Sequence, residues 1–253
     1  MDLNNFSLDN KIALVTGGSS GVGKMIALAL ARAGAFVWIA SIDDNADETI
    51  KEIEALGSQA AFFRVDVTNS TKLEEMLSHI YSVSKKIDIL INAAGINVRL
   101  PAEEMTLNAW QKTIDINLTA PYQLSQLVVE KMKEYGWGRI INIASLQSLR
   151  AFDNSIPYGA SKGGVMQLTR ALAQAYSKLG ILVNAIAPGF FHTKLTESLF
   201  QDPEKLKVLA GKTMMNRNGE EDDLFGISVF LCSDANSYIT GQTVFLDGGF
   251  SAQ

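Results

Sequence analysis

The residues best suited to chemistry are a tyrosine and a lysine at helical spacing, Tyr158 and Lys162, with Ser145 shortly before them. Side chains four residues apart on a helix share one face, so the lysine would hold positive charge beside the phenol. That charge favours the phenolate and lowers the pKa of the tyrosine from about 10, which suits proton transfer near neutral pH. Ser145 ends the apolar, strand-like run 139–144, and its hydroxyl can hold a substrate oxygen against the tyrosine. An ordinary helix-surface pair is the alternative interpretation.

A glycine-rich turn separates a strand-like run, residues 11–16, from a strongly helical run, residues 24–33. Strand, glycine turn and helix in this order are typical of a dinucleotide site, where the pyrophosphate lies at the helix N-terminus. The glycines permit a tight turn and a close approach of the backbone. The residues expected to contact a dinucleotide here are Gly17, Ser19, Ser20, Gly21, Val22 and Gly23.

Apolar runs alternate with helical patterns along the whole chain. Strands are predicted at 11–16, 35–40, 60–65, 87–92, 138–144, 181–187 and 243–246, and helices near 21–33, 45–56, 70–84, 106–134, 156–178 and 219–232. Strands that are continuous apolar runs indicate a parallel sheet covered on both faces. The prediction is an α/β fold, a Rossmann-type doubly wound seven-stranded parallel sheet with helices on both faces, in a single domain spanning 1–253.

The longest irregular region is predicted at about 188–218, and it is rich in polar residues and methionine. It follows the sixth strand, which places it over the carboxyl ends of the strands, where ligands bind in such folds. We therefore expect a substrate lid at 188–218. An ordinary surface excursion is the alternative.

Composition describes an ordinary globular protein and excludes several classes of function. The chain has 253 residues, 47% of them apolar and 19% charged, with a net charge of −5 and no basic patch for nucleic acid. No signal peptide and no apolar run of membrane-spanning length is evident, so no membrane partner and a cytoplasmic location are expected. The single cysteine, Cys232, lies in an apolar helical run and is expected in the core. His79 and His192 are far apart and show no metal-binding spacing, so no metal is expected.

Over essentially all 253 residues the chain resembles the short-chain dehydrogenase/reductase family. The matching motifs are T-G-x-x-x-G-x-G at Thr16, Gly17, Gly21 and Gly23, N-A-A-G at 92–95, the helix asparagine Asn117, the trio Ser145, Tyr158 and Lys162, P-G at 188–189 followed by Thr193, and D-G-G at 247–249. The resemblance implies an NAD(P)-dependent oxidoreductase acting on a secondary alcohol or ketone. It implies that the catalytic residues are Asn117, Ser145, Tyr158 and Lys162.

The resemblance also implies the remaining cofactor contacts. Asp66 would bind the adenine amino group, and Lys162 would hold the nicotinamide ribose as well as act in catalysis. Thr193 would bond the carboxamide, and Asn117 would hold a water that links Lys162 to solvent. The further cofactor contacts implied are Val67, Asn92, Ala93, Gly95, Tyr158, Pro188 and Gly189.

The choice between NAD and NADP depends on the end of the second strand. The position that usually carries an acidic residue for the ribose hydroxyls is Ser41, with Asp43 and Asp44 close behind. A 2′-phosphate would need Arg or Lys, and none occurs between residues 35 and 50, although Lys24 is near. NAD is therefore the expected cofactor, with NADP left open, since both aspartates could instead cap the next helix.

The segments 5–8, 95–101, 144–148 and 190–196 resemble gluconate 5-dehydrogenases and 2-deoxy-gluconate or 2-dehydro-3-deoxy-gluconate dehydrogenases. On this basis Arg99 is a candidate to pair with a sugar-acid carboxylate, and Gln147 to bond a substrate hydroxyl. His192, or Arg150, would complete a substrate site that also includes Ser145 and Tyr158. A surface or subunit-contact role is the alternative for Arg99.

Three functions remain open from the sequence. The first is a dehydrogenase of a sugar acid such as gluconate or a keto-deoxy-gluconate. The second is a reductase of another carbonyl, such as a 3-oxoacyl carrier protein or a small ketone. The third is a non-catalytic nucleotide-binding scaffold. The long helices at 106–134 and 156–178 carry apolar residues on more than one face, which favours subunit packing, and the resemblance implies a homotetramer.

Overall fold

The structure is a computed structural model that describes residues 3–193 and 195–253, and its described part contains one seven-stranded parallel sheet. The strands are β1 (Ile12–Thr16), β2 (Phe36–Ser41), β3 (Ala60–Arg64), β4 (Ile89–Asn92), β5 (Gly138–Ile143), β6 (Ile181–Pro188) and β7 (Thr243–Leu246). Their order across the sheet is β3-β2-β1-β4-β5-β6-β7, so the chain reverses its direction of growth between β1 and β4. Ligands bind at such a switch point in doubly wound sheets.

Helices cover both faces of the sheet. They are α1 (Gly21–Arg32), α2 (Asp47–Ala55), α3 (Ser70–Ser84), α4 (Leu107–Ile114), α5 (Ala120–Tyr135), α6 (Ile156–Tyr176), α7 (Glu197–Phe200), α8 (Pro203–Gly211) and α9 (Glu221–Cys232). A π-helical turn, Asp115–Thr119, joins α4 to α5 without a break. The helix predicted near 106–134 is therefore two α-helices and this turn.

Two apolar cores lie on opposite faces of the sheet, because successive residues of a strand point to opposite sides. In β1, Ala13 and Val15 pack into the core formed with α1, α2 and α9. Leu14, between them, packs into the other core, with α3, α5 and α6. Cys232 is fully buried in the first core, as predicted. Both faces of the central strands are therefore covered, which is why those strands read as continuous apolar runs.

The predicted fold class and each of the seven predicted strands are confirmed. The predicted irregular region 188–218 is wrong as secondary structure, since α7 and α8 both lie within it. Asp202 caps α8 by accepting from the Lys205 N–H at 3.1 Å, and Pro203 opens the helix. Polar residues that looked like loop composition are thus in part the cap and the exposed face of a helix.

The turns after β1 and β4 are joined by one buried hydroxyl. Thr16 Oγ1 donates to the Ile91 carbonyl at 3.3 Å and accepts from the Ala93 and Ala94 N–H groups at 3.1 and 3.2 Å. These bonds hold the carboxyl ends of two neighbouring strands together at the switch point.

Within the described residues, no helix combines the length and apolar character needed to cross a membrane.

Candidate active site

A cavity of about 560 Å³ opens at the carboxyl ends of the strands. The expected site residues that line it are Gly17, Ser19, Ser20, Gly21, Val22, Gly23, Ser41, Asp66, Val67, Ala93, Gly95, Arg99, Ser145, Gln147, Tyr158, Lys162, Pro188, Gly189 and Thr193. Four others, Asn92, Asn117, His192 and its alternative Arg150, are outside this lining. The structure thus brings together the glycine turn, the Ser–Tyr–Lys trio and the candidate substrate residues.

The glycine turn leaves room that only glycine can leave. A Cβ on Gly23 would lie 2.3 Å from the Gly17 carbonyl oxygen, and one on Gly17 would lie 2.9 Å from the Ala94 backbone. Gly17 and Gly21 also have φ of 66° and 56°, in the left-handed region. Ser20 precedes α1 without a side-chain cap, so the first N–H groups of the helix face the cavity. This cradle fits the pyrophosphate of a dinucleotide, because free N–H groups at a helix N-terminus attract anions.

Ser145 and Tyr158 come from two elements that meet at the middle of the cavity. Ser145 follows β5 and caps the short turn Leu146–Ser148, where its Oγ accepts from the Gln147 N–H at 3.1 Å. That bond leaves the Ser145 hydroxyl proton for a bond towards the Tyr158 oxygen, which partly offsets the larger rise that burial causes in the pKa of the phenol. Tyr158 lies in the first turn of α6. The pair can hold one substrate oxygen between two hydroxyl groups.

Lys162 is buried one turn further along α6, with 5% of its surface exposed. Its ammonium donates to the Ile143 carbonyl at 2.5 Å. Burial lowers the pKa of Lys162 from 10.5 to about 8. The lysine can therefore change its charge near neutral pH, which few lysines do.

The expected lowering of the Tyr158 pKa by Lys162 is wrong for this arrangement. Burial raises the pKa of Tyr158 above its ordinary value, while the Ser145 hydrogen bond and the charge of Arg99 act in the opposite direction. The Lys162 ammonium lies 5.6 Å from the centroid of the Tyr158 ring and bonds to a carbonyl instead of the phenol. Helical spacing placed the two residues on one face but could not show where the ammonium bonds.

Two amide side chains of the expected site lie behind the lining of the cavity. Asn117, in the π-helical turn, accepts from the Ile96 N–H and donates to the Ile96 carbonyl, both at 2.9 Å, and donates to Ser161 at 3.1 Å. Asn92 donates to the Asn142 side chain at 2.9 Å and is 4% exposed. The expectation that Asn92 lies at the cofactor surface is corrected to a role beneath it, where its side chain holds β4 to β5.

The far end of the cavity carries an acidic group at the place expected for a ribose. Asp43 lines it and accepts from Ser19 Oγ at 2.6 Å and Ser41 Oγ at 3.2 Å. Lys24, the nearest candidate for a 2′-phosphate, pairs with Glu48 and Glu52 at 2.8 and 2.9 Å. These contacts place a carboxylate at the end of β2 and hold Lys24 against two glutamates.

The substrate end of the cavity has a cationic side and an aromatic side. Arg99 lines it, and no carboxylate within the described residues forms an ion pair with the guanidinium. The lining residues that sequence reasoning missed include Asn97, Lys112, Phe152 and Phe190. The position of Asn97, two residues after the N-A-A-G motif, was a signal that could have revealed it.

His192 is the expected substrate residue that the structure places elsewhere. Its ring lies 3.2 Å from Glu197, stacks on Phe200 and is 62% exposed. Arg150 likewise turns away and donates to the Gln253 carbonyl at 2.6 Å. The segment that carries His192 instead brings Thr193 to the glycine turn, where a Cβ on Gly21 would lie 3.4 Å from Thr193. The structure corrects the expectation that His192 completes the substrate pocket.

Known proteins are similar to this chain over nearly its whole length. A family model described as enoyl-(acyl carrier protein) reductase matches residues 17–251. The chain is 38% identical over 250 residues to the 2-dehydro-3-deoxy-D-gluconate 5-dehydrogenase of Pseudoalteromonas atlantica, covering 98% of both chains. It is also 38% identical over 247 residues to the gluconate 5-dehydrogenase of Gluconobacter oxydans, covering 97% of this chain and 96% of the relative.

The fold also closely matches that of a solved structure. The crystal structure of a gluconate 5-dehydrogenase from Burkholderia cenocepacia, in complex with NADP and tartrate, superposes with a TM-score of 0.93. The two chains are 34% identical, and the match covers 99% of each. The similarity therefore extends over the whole sheet and over the segment after β6.

Proposed function

The chain belongs to the short-chain dehydrogenase/reductase family and is an NAD(P)-dependent oxidoreductase acting on CH–OH groups, and on that premise we propose that its substrate is a sugar acid such as gluconate or a keto-deoxy-gluconate. The reaction is hydride transfer between the nicotinamide and a secondary alcohol or ketone of that acid. Of the three functions left open by the sequence, the non-catalytic scaffold is set aside by family membership.

The observation that carries the substrate proposal is the position of Arg99. Its positive charge acts on the Tyr158 phenol across the cavity, and no described carboxylate neutralises it. A substrate carboxylate would complete this site, because guanidinium binds carboxylate with two parallel hydrogen bonds. The relatives named for gluconate and 2-dehydro-3-deoxy-gluconate support the same class of substrate.

The trio supplies the proton chemistry of the proposed reaction. The nicotinamide, when bound, supplies the acceptor or donor of the hydride. In oxidation, Tyr158 in its phenolate form takes the proton from the substrate hydroxyl and becomes the neutral phenol, while Ser145 holds the same oxygen. Lys162 is the buried cation beside them, held by the Ile143 carbonyl, and Asn117 fixes the backbone at Ile96. Reduction reverses these steps.

The contacts at the end of β2 support NAD as the preferred cofactor. Asp43 can accept hydrogen bonds from both ribose hydroxyls, whereas a 2′-phosphate there would be repelled by the carboxylate. Asp66 and Val67 would hold the adenine, the 17–23 turn would hold the pyrophosphate, and Thr193 would hold the carboxamide, all from positions on the cavity wall.

We also propose that the protein is a homotetramer. Independently of this, we propose that the segment 188–218 acts as a lid over the cavity. Exposed apolar side chains on α4, α5 and α6, namely Leu107, Tyr122 and Ile156, support subunit packing through these helices. The lid proposal is supported by Phe190, Thr193 and Leu195, which line the cavity from within that segment. Light scattering of the purified protein would test the tetramer, and fractionation of the host would test the predicted cytoplasmic location.

The experiment that tests the function follows nicotinamide absorbance with NAD or NADP. Gluconate, 2-deoxy-gluconate and 2-dehydro-3-deoxy-gluconate would be compared with a simple secondary alcohol, and Tyr158→Phe would serve as the blank. We expect turnover confined to the sugar acids and abolished in the variant, which should still bind cofactor. Turnover of neutral alcohols alone would overturn the sugar-acid proposal, and a near-wild-type rate in Tyr158→Phe would overturn the role of the tyrosine.

The second candidate is reduction of a carbonyl carried on an acyl carrier protein. The description of the matching family model favours it. The net charge of −5 argues against it, because an acidic carrier protein associates better with a basic surface. A 3-oxoacyl thioester added to the same assay distinguishes the two candidates.

A further inference from the structure

One threonine hydroxyl organises the backbone at the start of the segment after β6. Thr196 Oγ1 lies 2.5 Å from the Phe191 carbonyl oxygen and 3.2 Å from the Thr193 carbonyl oxygen. It also accepts from the Thr193 N–H at 3.0 Å and lies 3.1 Å from the Thr193 hydroxyl oxygen. Thr193 is the residue expected to hold the nicotinamide carboxamide, so the direction of these hydrogen bonds bears on cofactor binding.

The hydroxyl of Thr196 is not used to cap the helix that follows it. Thr196 is the N-cap residue of α7, but its side chain makes no cap hydrogen bond. A threonine at this position commonly accepts from a backbone N–H two or three residues further on. Here the hydroxyl bonds instead to residues 191 and 193, which precede it in the chain. Loss of the hydroxyl therefore acts on these residues and removes no side-chain cap from α7.

The bond to Phe191 decides the direction of the bond between the two threonine hydroxyls. A carbonyl oxygen carries no proton, so a hydroxyl oxygen 2.5 Å from it must donate its own. Because Thr196 has only that proton, it accepts from the Thr193 hydroxyl. The Thr193 N–H uses its second lone pair. The Thr196 oxygen is thus fully used within the protein and acts on a ligand only through Thr193.

The Thr193 oxygen is left as an acceptor. Its proton points to Thr196, and the described residues offer its oxygen no other hydrogen bond. Thr193 is half-buried and lines the cavity beside the glycine turn, where a Cβ on Gly21 would lie 3.4 Å from it. An amide NH₂ group can donate to this oxygen. A carboxylate in the same place cannot, because it too has only lone pairs.

We propose that Thr196 is a positioning residue that holds the Thr193 hydroxyl as an acceptor, so that the site selects a carboxamide over a carboxylate on the pyridine ring of the cofactor. The inference rests on the proposed function, in which Thr193 holds the carboxamide, and adds the residue that sets the direction of that bond. A freely rotating Thr193 hydroxyl would discriminate poorly, because it could either donate or accept.

The test measures binding of the intact protein to two dinucleotides by calorimetry. They are NAD and nicotinic acid adenine dinucleotide, which differ only in a carboxylate in place of the carboxamide. We expect the wild type to bind NAD at least about 10-fold more tightly, because the carboxylate loses a hydrogen bond and meets the lone pairs of Thr193. In Thr196→Val the Thr193 proton is free to turn to the carboxylate. The preference should therefore fall to about 3-fold or less, through a gain in affinity for the carboxylate dinucleotide.

Two further variants separate this role from simple support of the backbone. Thr196→Ser keeps the hydroxyl and should keep the wild-type preference. Thr193→Val removes the acceptor itself and should weaken NAD binding about 5-fold, the effect of one hydrogen bond. A gain in affinity for the carboxylate dinucleotide in Thr196→Val is a result that loosening of the segment does not produce. If the wild type binds NADP but not NAD, the matched pair becomes NADP and nicotinic acid adenine dinucleotide phosphate.

The outcomes distinguish the inference from the function on which it rests. Equal weakening of both dinucleotides in Thr196→Val, or an unchanged preference there while Thr193→Val lowers it, would overturn the inference and leave the Thr193 contact standing. An unchanged preference in Thr193→Val would overturn both the inference and the carboxamide contact. The sugar-acid proposal is judged separately, because turnover of neutral alcohols alone would overturn it without changing either dissociation constant.

Discussion

The ammonium of Lys162 lies 5.6 Å from the centre of the Tyr158 ring, and its hydrogen bond goes to the Ile143 carbonyl, not to the phenol. The two residues therefore lie on one face of the helix, but the ammonium does not donate to the phenol. Burial raises the pKa of Tyr158 and lowers that of Lys162 to about 8, so the desolvation of each group favours its neutral form.

The buried charge of Lys162 should cost stability at neutral pH. A pKa lowered from 10.5 to about 8 means that the buried charge destabilises the folded protein by about 3 kcal/mol. A neutral variant removes this cost but also loses the hydrogen bond to Ile143, which contributes about 1 kcal/mol. We therefore expect the free energy of unfolding of Lys162→Met, without cofactor at pH 7, to be about 2 kcal/mol higher than that of the wild type. Urea unfolding of both proteins at equal concentration measures the difference.

The sign of the pH dependence checks the cause. Below pH 8 the lysine is charged in both folded and unfolded chains, so the full cost is present. Between about pH 8 and 10.5 the folded chain releases the proton before the unfolded chain does, so the wild type gains stability with rising pH and the difference shrinks. A difference that is constant from pH 7 to 10 would contradict the buried-charge explanation.

The carboxylate of Asp43 should control the choice of cofactor. Replacing it with serine removes the charge that repels a 2′-phosphate and leaves Ser19 and Ser41 as donors. We expect Asp43→Ser to lose about 10-fold in kcat/KM with NAD and to gain about 10-fold with NADP, since a charge-assisted bond contributes about 1.5–3 kcal/mol.

The adjacent aspartate provides the control for that change. Asp44 pairs with Arg64 at 3.0 Å on an exposed surface and does not line the cavity. Asp44→Ser removes the same charge one residue away, so its ratio of NAD to NADP activity should stay within about 3-fold of the wild type, because exposed charges interact weakly. An equal shift in both variants would show a general effect of net charge.

The close approach of Gly23 to Gly17 should make this glycine irreplaceable. A Cβ at Gly23 would lie 2.3 Å from a carbonyl oxygen, so Gly23→Ala must move the backbone of the turn. We expect it to weaken NAD binding by 10-fold or more, measured by calorimetry. Gly226→Ala is the control, because Gly226 lies inside α9 with nothing within 4 Å of the new methyl group. That variant should bind NAD normally and gain about 0.5–1 kcal/mol of stability.

Three aromatic rings connect the C-terminal segment to the cavity. Phe250 packs against Phe152 at 6.2 Å and Phe190 at 5.7 Å between ring centroids, and the latter two line the substrate end. We expect Phe250→Ala to raise the KM for gluconate about 5-fold with NAD affinity unchanged, because each aromatic pair contributes about 0.5–1.5 kcal/mol. Phe6→Ala, which breaks a pair with Phe230 away from the cavity, should leave both constants unchanged.

Much of the fold and part of the candidate site could be predicted from the sequence, for identifiable reasons. Runs such as β6 are largely apolar because both faces of the strand are buried, and this local property marks a central strand directly. The glycine turn was visible because its backbone excludes every other residue type at Gly17 and Gly23. Such constraints act on single positions and can be read from them.

Contacts made between distant segments could not be predicted in this way. In the sequence, His192 stands between two residues that line the cavity. In the structure, its pair with Glu197 and its stacking on Phe200 hold the ring outside the cavity. The orientation of Asn97 depends on a hydrogen bond from Ser155, 58 residues later, and nothing local to either residue indicates that bond. The direction of the Lys162 ammonium depends on a carbonyl of β5.

The hydroxyl of Thr16 has a consequence for variation and engineering. Thr16 ends β1, and its hydroxyl bonds to residues 91, 93 and 94 at the end of β4, so it ties together two adjacent turns that both line the cofactor site. A library at position 16 should therefore tolerate serine and little else. Exchange of either loop with a relative should succeed only when residues 16 and 91–94 are transferred as one unit.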